Sequence, residues 1–141
     1  MSDRALRLGA ALVALAGFGV AGYLTWAHYS DGSVLCVAGG GCEQVQESDY
    51  AEIAGIPVAV LGLGGYATIF GLIAWDTIGA RLAAASLALV GLLFSAYLLV
   101  LQLFVIEAVC VWCLANDVVI APALAVLTAL RLRGSVAEGS G

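Results

Sequence analysis

The sequence has no lysine, a single histidine (His28), and only 11% charged residues among its 141. Its five scattered arginines cannot build the basic surface that a phosphate backbone requires, so nucleic-acid binding is excluded. Polar sequence of any kind is scarce: 63% of residues are hydrophobic and the mean hydropathy is +1.08, more apolar surface than a soluble domain of this length can hide. The chain is therefore expected to sit in a lipid bilayer. No clean small-residue cleavage site precedes the first polar loop, so the run Leu8 to Trp26 after Arg4 and Arg7 reads as a retained span, not a signal peptide. Internal repeats and a second domain are lacking. The expectation is one membrane domain over residues 1–133 and a disordered tail over 134–141.

What is present is a set of four apolar runs, each near the roughly 20 residues that cross a bilayer as a helix. They cover Leu6 to His28, Pro57 to Trp75, Arg81 to Phe104 and Cys110 to Leu130, with Glu107 marking the turn between the last two. This predicts an all-α membrane protein, a bundle of four transmembrane helices. The net charge of -5 says less than where the charges sit. Arg4 and Arg7 precede span one, Arg81 lies between spans two and three, and Arg131 and Arg133 follow span four. All then fall on one side, which predicts a multi-pass protein of the cell's inner or plasma membrane with both termini cytoplasmic. Tyr23, Trp26 and Tyr29 mark the outer interface of span one, and Trp75 the inner end of span two.

The loop from Tyr29 to Ile56 is the one sizeable polar stretch. Gly32 and the run Gly39 to Gly41 loosen its first half. From Glu43 to Ile53 glycine disappears, and Val45, Tyr50 and Ile53 or Ala54 recur at roughly helical spacing. A short half-helix between spans one and two is expected there, stopped by Gly55 and Pro57.

The chemistry is carried by four cysteines in two pairs. Cys110 and Cys113 open the last span as Cys-Val-Trp-Cys, on one face of a helix whose N-terminal dipole favours a thiolate. Leu114, where histidine would be needed, rules out a haem-attachment motif. Cys36 and Cys42 enclose five residues, three of them glycine, so this pair can close a disulfide and also reopen. A purely structural loop disulfide and a four-cysteine zinc site are the competing readings. The zinc reading is the weaker, because its second half would be a wide pair on a flexible loop. Two exchangeable pairs on one membrane face suggest a thiol relay, one pair meeting a partner and the other a terminal acceptor. The acceptor expected from a bilayer is a lipid-soluble quinone, and no metal is expected.

Cys36-X5-Cys42, Ser48, the entry Gly55-Ile56-Pro57 and Cys110-Val-Trp-Cys113 together resemble the bacterial vitamin K epoxide reductase (VKOR) homologues over roughly residues 8 to 130. The match is to the stand-alone form, without a fused thioredoxin-like domain. The resemblance implies four helices around a quinone of the ubiquinone, menaquinone or vitamin K type. It implies a quinone-dependent, disulfide-generating oxidoreductase whose partner is a DsbA-like thioredoxin-fold protein acting in trans. By the same resemblance Cys113 is the thiol beside the quinone, Cys110 exchanges with the loop pair, and Ser48 hydrogen-bonds near the quinone. Cys42 is the choice for the cysteine that reaches Cys110, with Cys36 facing the partner, although spacing alone allows the reverse. Asp117 departs from the family, whose members often carry a hydroxyl or aromatic residue there. It lies four residues after Cys113 and is a candidate either to donate to a quinone carbonyl or to relay its proton. Satisfaction by Asn116 and water is its bland reading.

The DsbB-type quinone reductases share the helix and cysteine counts but place the Cys-X-X-Cys pair in the first outer loop, the reverse of the order here. A non-enzymatic bundle braced by its disulfides is the alternative of a different class.

Overall fold

A computed structural model describes residues 2–29, 52–53, 55–105 and 111–140. Four helices long and apolar enough to cross a membrane run over Asp3–Ala27, Val58–Trp75, Ile78–Val105 and Val111–Ala137. The expected spans are all present, with ends displaced by a few residues. We label the elements α1 (Asp3–Tyr29), β1 (Glu52–Ile53), β2 (Ile56–Pro57), α2 (Val58–Trp75) and α3 (Ile78–Val100). Val111–Ala115 forms α4 and Ala121–Ser140 forms α5. A π-helical turn, Leu101–Val105, prolongs α3, and another, Asn116–Ile120, joins α4 to α5.

The helices form a ring in which α1 packs on α2 and α5, and α3 packs on α2 and α5. Small side chains make this approach possible: Ala10, Ala14 and Ala88 meet Ile69, Ile73 and Leu124 in the central cluster. Bulky residues point the other way, with Leu12, Val90 and Leu93 more than 60% exposed on the faces that hydrocarbon would cover.

One end of the bundle is locked by charge. After α2, Asp76 adopts a left-handed conformation (φ 55°) and its N–H donates to the Leu72 carbonyl at 3.2 Å, ending the helix. Thr77 then caps α3 by accepting from the Ala80 N–H at 3.0 Å. Arg81 Nε donates to Asp76 at 2.9 Å, Arg131 reaches the same oxygen, and Arg81 also meets Asp3 at 3.1 Å. Arg7 donates to the terminal carbonyls of α2, Ile73 at 3.3 Å and Ala74 at 3.0 Å. Burial pushes the Asp76 carboxyl up, but the Arg81 hydrogen bond and the charges of Arg81, Arg131 and Arg7 outweigh it and hold it below the usual carboxylate range.

Two expectations need correction. The tail is helical through Ser140, because Ser135 accepts from Arg81 and donates to the Arg131 carbonyl at 3.1 Å, tying the turn beyond Arg133 to the charged cluster. The loop helix does not extend to Ile53. Glu52 and Ile53 are extended and pair antiparallel with Pro57 and Ile56, and Gly55, at φ 82°, lies between the strands. Isoleucine, being β-branched, favours extended over helical backbone. The remainder of that expected helix, Glu43 to Ala51, lies outside the described residues.

Candidate active site

At the end of the bundle away from the arginines, all four spans leave a cavity of about 370 Å³ between them. Its walls are apolar nearly throughout, and among the described residues its polar lining comes from six side chains: Tyr66, Ser95, Gln102, Cys113, Asn116 and Asp117. Three of the six, Gln102, Asn116 and Asp117, sit in the two π-turns. Each widens a helix by one residue and re-aims the side chains that follow, a distortion common at functional sites. Gln102 sits in one such turn and Asp117 in the other, and Gln102 Nε2 donates to Asp117 Oδ2 at 3.2 Å. The other carboxyl oxygen, Oδ1, accepts from Asn116 Nδ2 at 3.1 Å, and Ser95 lines the same cavity. Tyr66 on α2 donates to Asn116 Oδ1 and completes the chain of contacts. Gln102 and Asp117 are 2% and 6% exposed, so this is an interior network and not a solvated rim.

Cys113 lines the same cavity and is half-buried. It packs on Leu24 and Ala27 of α1, and its neighbour Trp112 lies with its ring 5.2 Å from that of Tyr23. The helix carrying the thiol is thus pinned to α1, while the sulfur's other side faces the cavity. Tyr66 is seated by a glycine: a Cβ at Gly17 would stand 2.5 Å from its ring.

Of the residues singled out in the sequence, Cys113 and Asp117 come together on one cavity wall. Cys36, Cys42, Ser48 and Cys110 lie outside the described residues, as does Glu107. The sequence reading missed Tyr66, Ser95 and Gln102. Their signal was present, since Ser95 and Gln102 are polar residues seven apart, two helical turns, inside an otherwise apolar span.

A quinone head is a flat ring with two acceptor oxygens, and a cavity with apolar walls and hydroxyl and amide groups gathered on one side fits that chemistry. Among the described residues no group of three or more His, Cys, Asp or Glu is placed to hold a metal ion.

No curated protein matches the chain. A family model described as the vitamin K epoxide reductase family matches residues 9–128, most of the 141-residue chain and at least part of all four spans, and the chain belongs to this family of membrane oxidoreductases.

Proposed function

We propose that this chain is a quinone-dependent thiol oxidoreductase that reoxidises a DsbA-like thioredoxin-fold protein and so supports disulfide formation. The observation that carries the reading is that Cys113 borders a cavity with apolar walls and a polar cluster, enclosed by all four spans. Exposed Leu61 and Val90 belong to the same wall, so the cavity reaches the surface that lipid would cover and suits an acceptor arriving from the bilayer.

A bound quinone supplies an acceptor for two electrons and two protons. The partner's dithiol reduces the Cys36/Cys42 disulfide by exchange, and the loop pair then reduces Cys110/Cys113. Cys110 takes the exchange with the loop, Cys42 being its favoured partner, and Cys113 faces the cavity. Oxidation of the Cys110/Cys113 dithiol breaks two S–H bonds, forms one S–S bond and releases the two electrons and two protons. Ser48 and Asp117 provide polar contacts to the acceptor, and the apolar walls keep bulk water from the exchanging sulfur. The arginine-rich end of the bundle is cytoplasmic, and the four cysteines are extracytoplasmic.

Protein purified into nanodiscs, supplied with a soluble quinone analogue and a reduced thioredoxin-fold protein, tests this. One quinone should be reduced for each partner disulfide formed, and loss of Cys113 should stop both. Partner oxidation that proceeds equally without quinone, or none at all, would leave the bracing-bundle alternative standing.

A further inference from the structure

A second hollow lies on the outer surface of the bundle, between α3 and α5 toward the arginine end, and shares no lining residue with the candidate active site. It is a groove of about 580 Å³. Small side chains leave it open, Ala85 on α3 and Ala125 and Ala129 on α5, and exposed Leu89 and Val136 line it as well, so it opens toward hydrocarbon. From Ala125 to Arg133 it follows α5 for eight residues, about 12 Å at the helical rise. One leaflet of a hydrocarbon core roughly 30 Å thick is about 15 Å deep, so the groove runs most of the depth of one leaflet. Two polar side chains interrupt its apolar lining, and neither has a partner among the described residues. The hydroxyls of Thr25, Thr68 and Thr128 each donate to the carbonyl four residues back at 2.7 Å, but Ser86 makes no such bond. A hydroxyl left unpaired against hydrocarbon is costly. Arg7, Arg81 and Arg131 are ion-paired with Asp76, whereas Arg133 has no ion pair and no hydrogen bond.

We propose that this groove seats one anionic phospholipid of the leaflet on the arginine side. An acyl chain lies over Ala85, Ala125 and Ala129, the Ser86 hydroxyl donates to an ester carbonyl, and Arg133 pairs with the phosphate. Charge decides the headgroup. A zwitterionic lipid brings its own cation to the phosphate, while an anionic one leaves the negative charge for Arg133, whose competitors Asp3 and Asp76 are already engaged by Arg81 and Arg131. A second copy of the chain fits the groove less well, because a two-fold contact over one patch would bring two unpaired Arg133 side chains together with no acid between them. The lipid, in contrast, answers the apolar floor, the open hydroxyl and the open cation at once.

Native mass spectrometry of the full chain tests this, with the protein released from nanodiscs that hold equal amounts of phosphatidylglycerol and phosphatidylcholine bearing the same acyl chains. One phosphatidylglycerol should be retained about fivefold more often than phosphatidylcholine, the scale set by a single arginine beside an anionic lipid surface. Arg133→Gln should erase that preference. Arg4→Gln, which removes an arginine that lies outside the groove and is likewise without an ion pair among the described residues, should keep it. Ser86→Ala should lower retention of both lipids alike, by about two- to tenfold, because the ester carbonyl is common to them. Ala129 is exposed, so Ala129→Leu fills the groove without disturbing the interior, and both lipids should be lost. A preference that survives Arg133→Gln, equal loss in Arg4→Gln, or full retention in Ala129→Leu overturns the proposal. Glycerol phosphate held as well as the lipid would reduce the groove to an anion site, and a dimer in place of the lipid adduct would give it to a second copy; either result refutes the lipid. No readout here involves quinone, so the outcome is independent of the proposed function.

Discussion

Gly17→Ala is the smallest change that reaches the candidate site, and it does so from a helix carrying none of the polar network. A Cβ on Gly17 would sit 2.5 Å from two carbons of the Tyr66 ring and 2.7 Å from a third. Carbon atoms pack at about 3.5 to 4 Å, so the ring must retreat by roughly 1 Å or the helices must part. Overpacking of this kind costs about 1 to 3 kcal/mol. Moving the Tyr66 hydroxyl off Asn116 adds about 0.5 to 1.5 kcal/mol, offset by the gain of about 1 kcal/mol from replacing glycine with alanine in a helix. The net loss is about 0.5 to 3.5 kcal/mol. Gly19 is an internal control, because its Cβ would meet nothing within 4 Å. Equilibrium unfolding in detergent should place Gly17→Ala below wild type and Gly19→Ala at or slightly above it. The double variant Gly17→Ala/Tyr66→Leu should lose less than the sum of its parts, since the second change removes the obstacle the first collides with. Equal stability of the two alanine variants would mean that Gly17 does not seat Tyr66.

The charged end should be pH-sensitive with a definite sign. Because the folded state holds the Asp76 carboxyl below its ordinary value, its stabilisation is complete above about pH 4 and is lost as pH falls through the folded-state value. Asp76→Asn should therefore lower the neutral plateau and flatten the acid limb of an unfolding-versus-pH curve; limbs of equal steepness would show that the arginines do not act through Asp76. Replacing Cys113 with alanine removes the thiol that resolves the mixed disulfide, so a species linking Cys110 to a loop cysteine, Cys42 more than Cys36, should accumulate during turnover and be found by peptide mapping. A Cys110 that stays free throughout would break the relay. In oriented vesicles an impermeant thiol reagent should modify Cys36 from the extracytoplasmic side, and labelling confined to the cytoplasmic side would invert the topology.

The number and order of the spans were legible from hydropathy alone, because a bilayer core imposes a length of about 20 apolar residues whatever the helices pack against. The arginines were equally legible as one group, and the ion pairs of Arg7, Arg81 and Arg131 with Asp76 confirm that these three meet at one end. Cys113 and Asp117, four apart, could be assigned to one helix face from spacing alone. Their shared cavity could not, since its lining comes from all four spans, and two of its polar residues, Gln102 and Asp117, sit in π-turns that leave no periodic trace in so uniformly apolar a sequence. Gly17 looked like any other glycine of an apolar helix until the Tyr66 ring was seen against it. The tail beyond Arg133 has the composition of a disordered end, yet Ser135 binds across to Arg81 on α3. Local sequence settles what a segment prefers in isolation. Which donors surround Asp117, which glycine must stay a glycine and where the last helix stops are set by side chains far away in the chain, and packing alone brings those together.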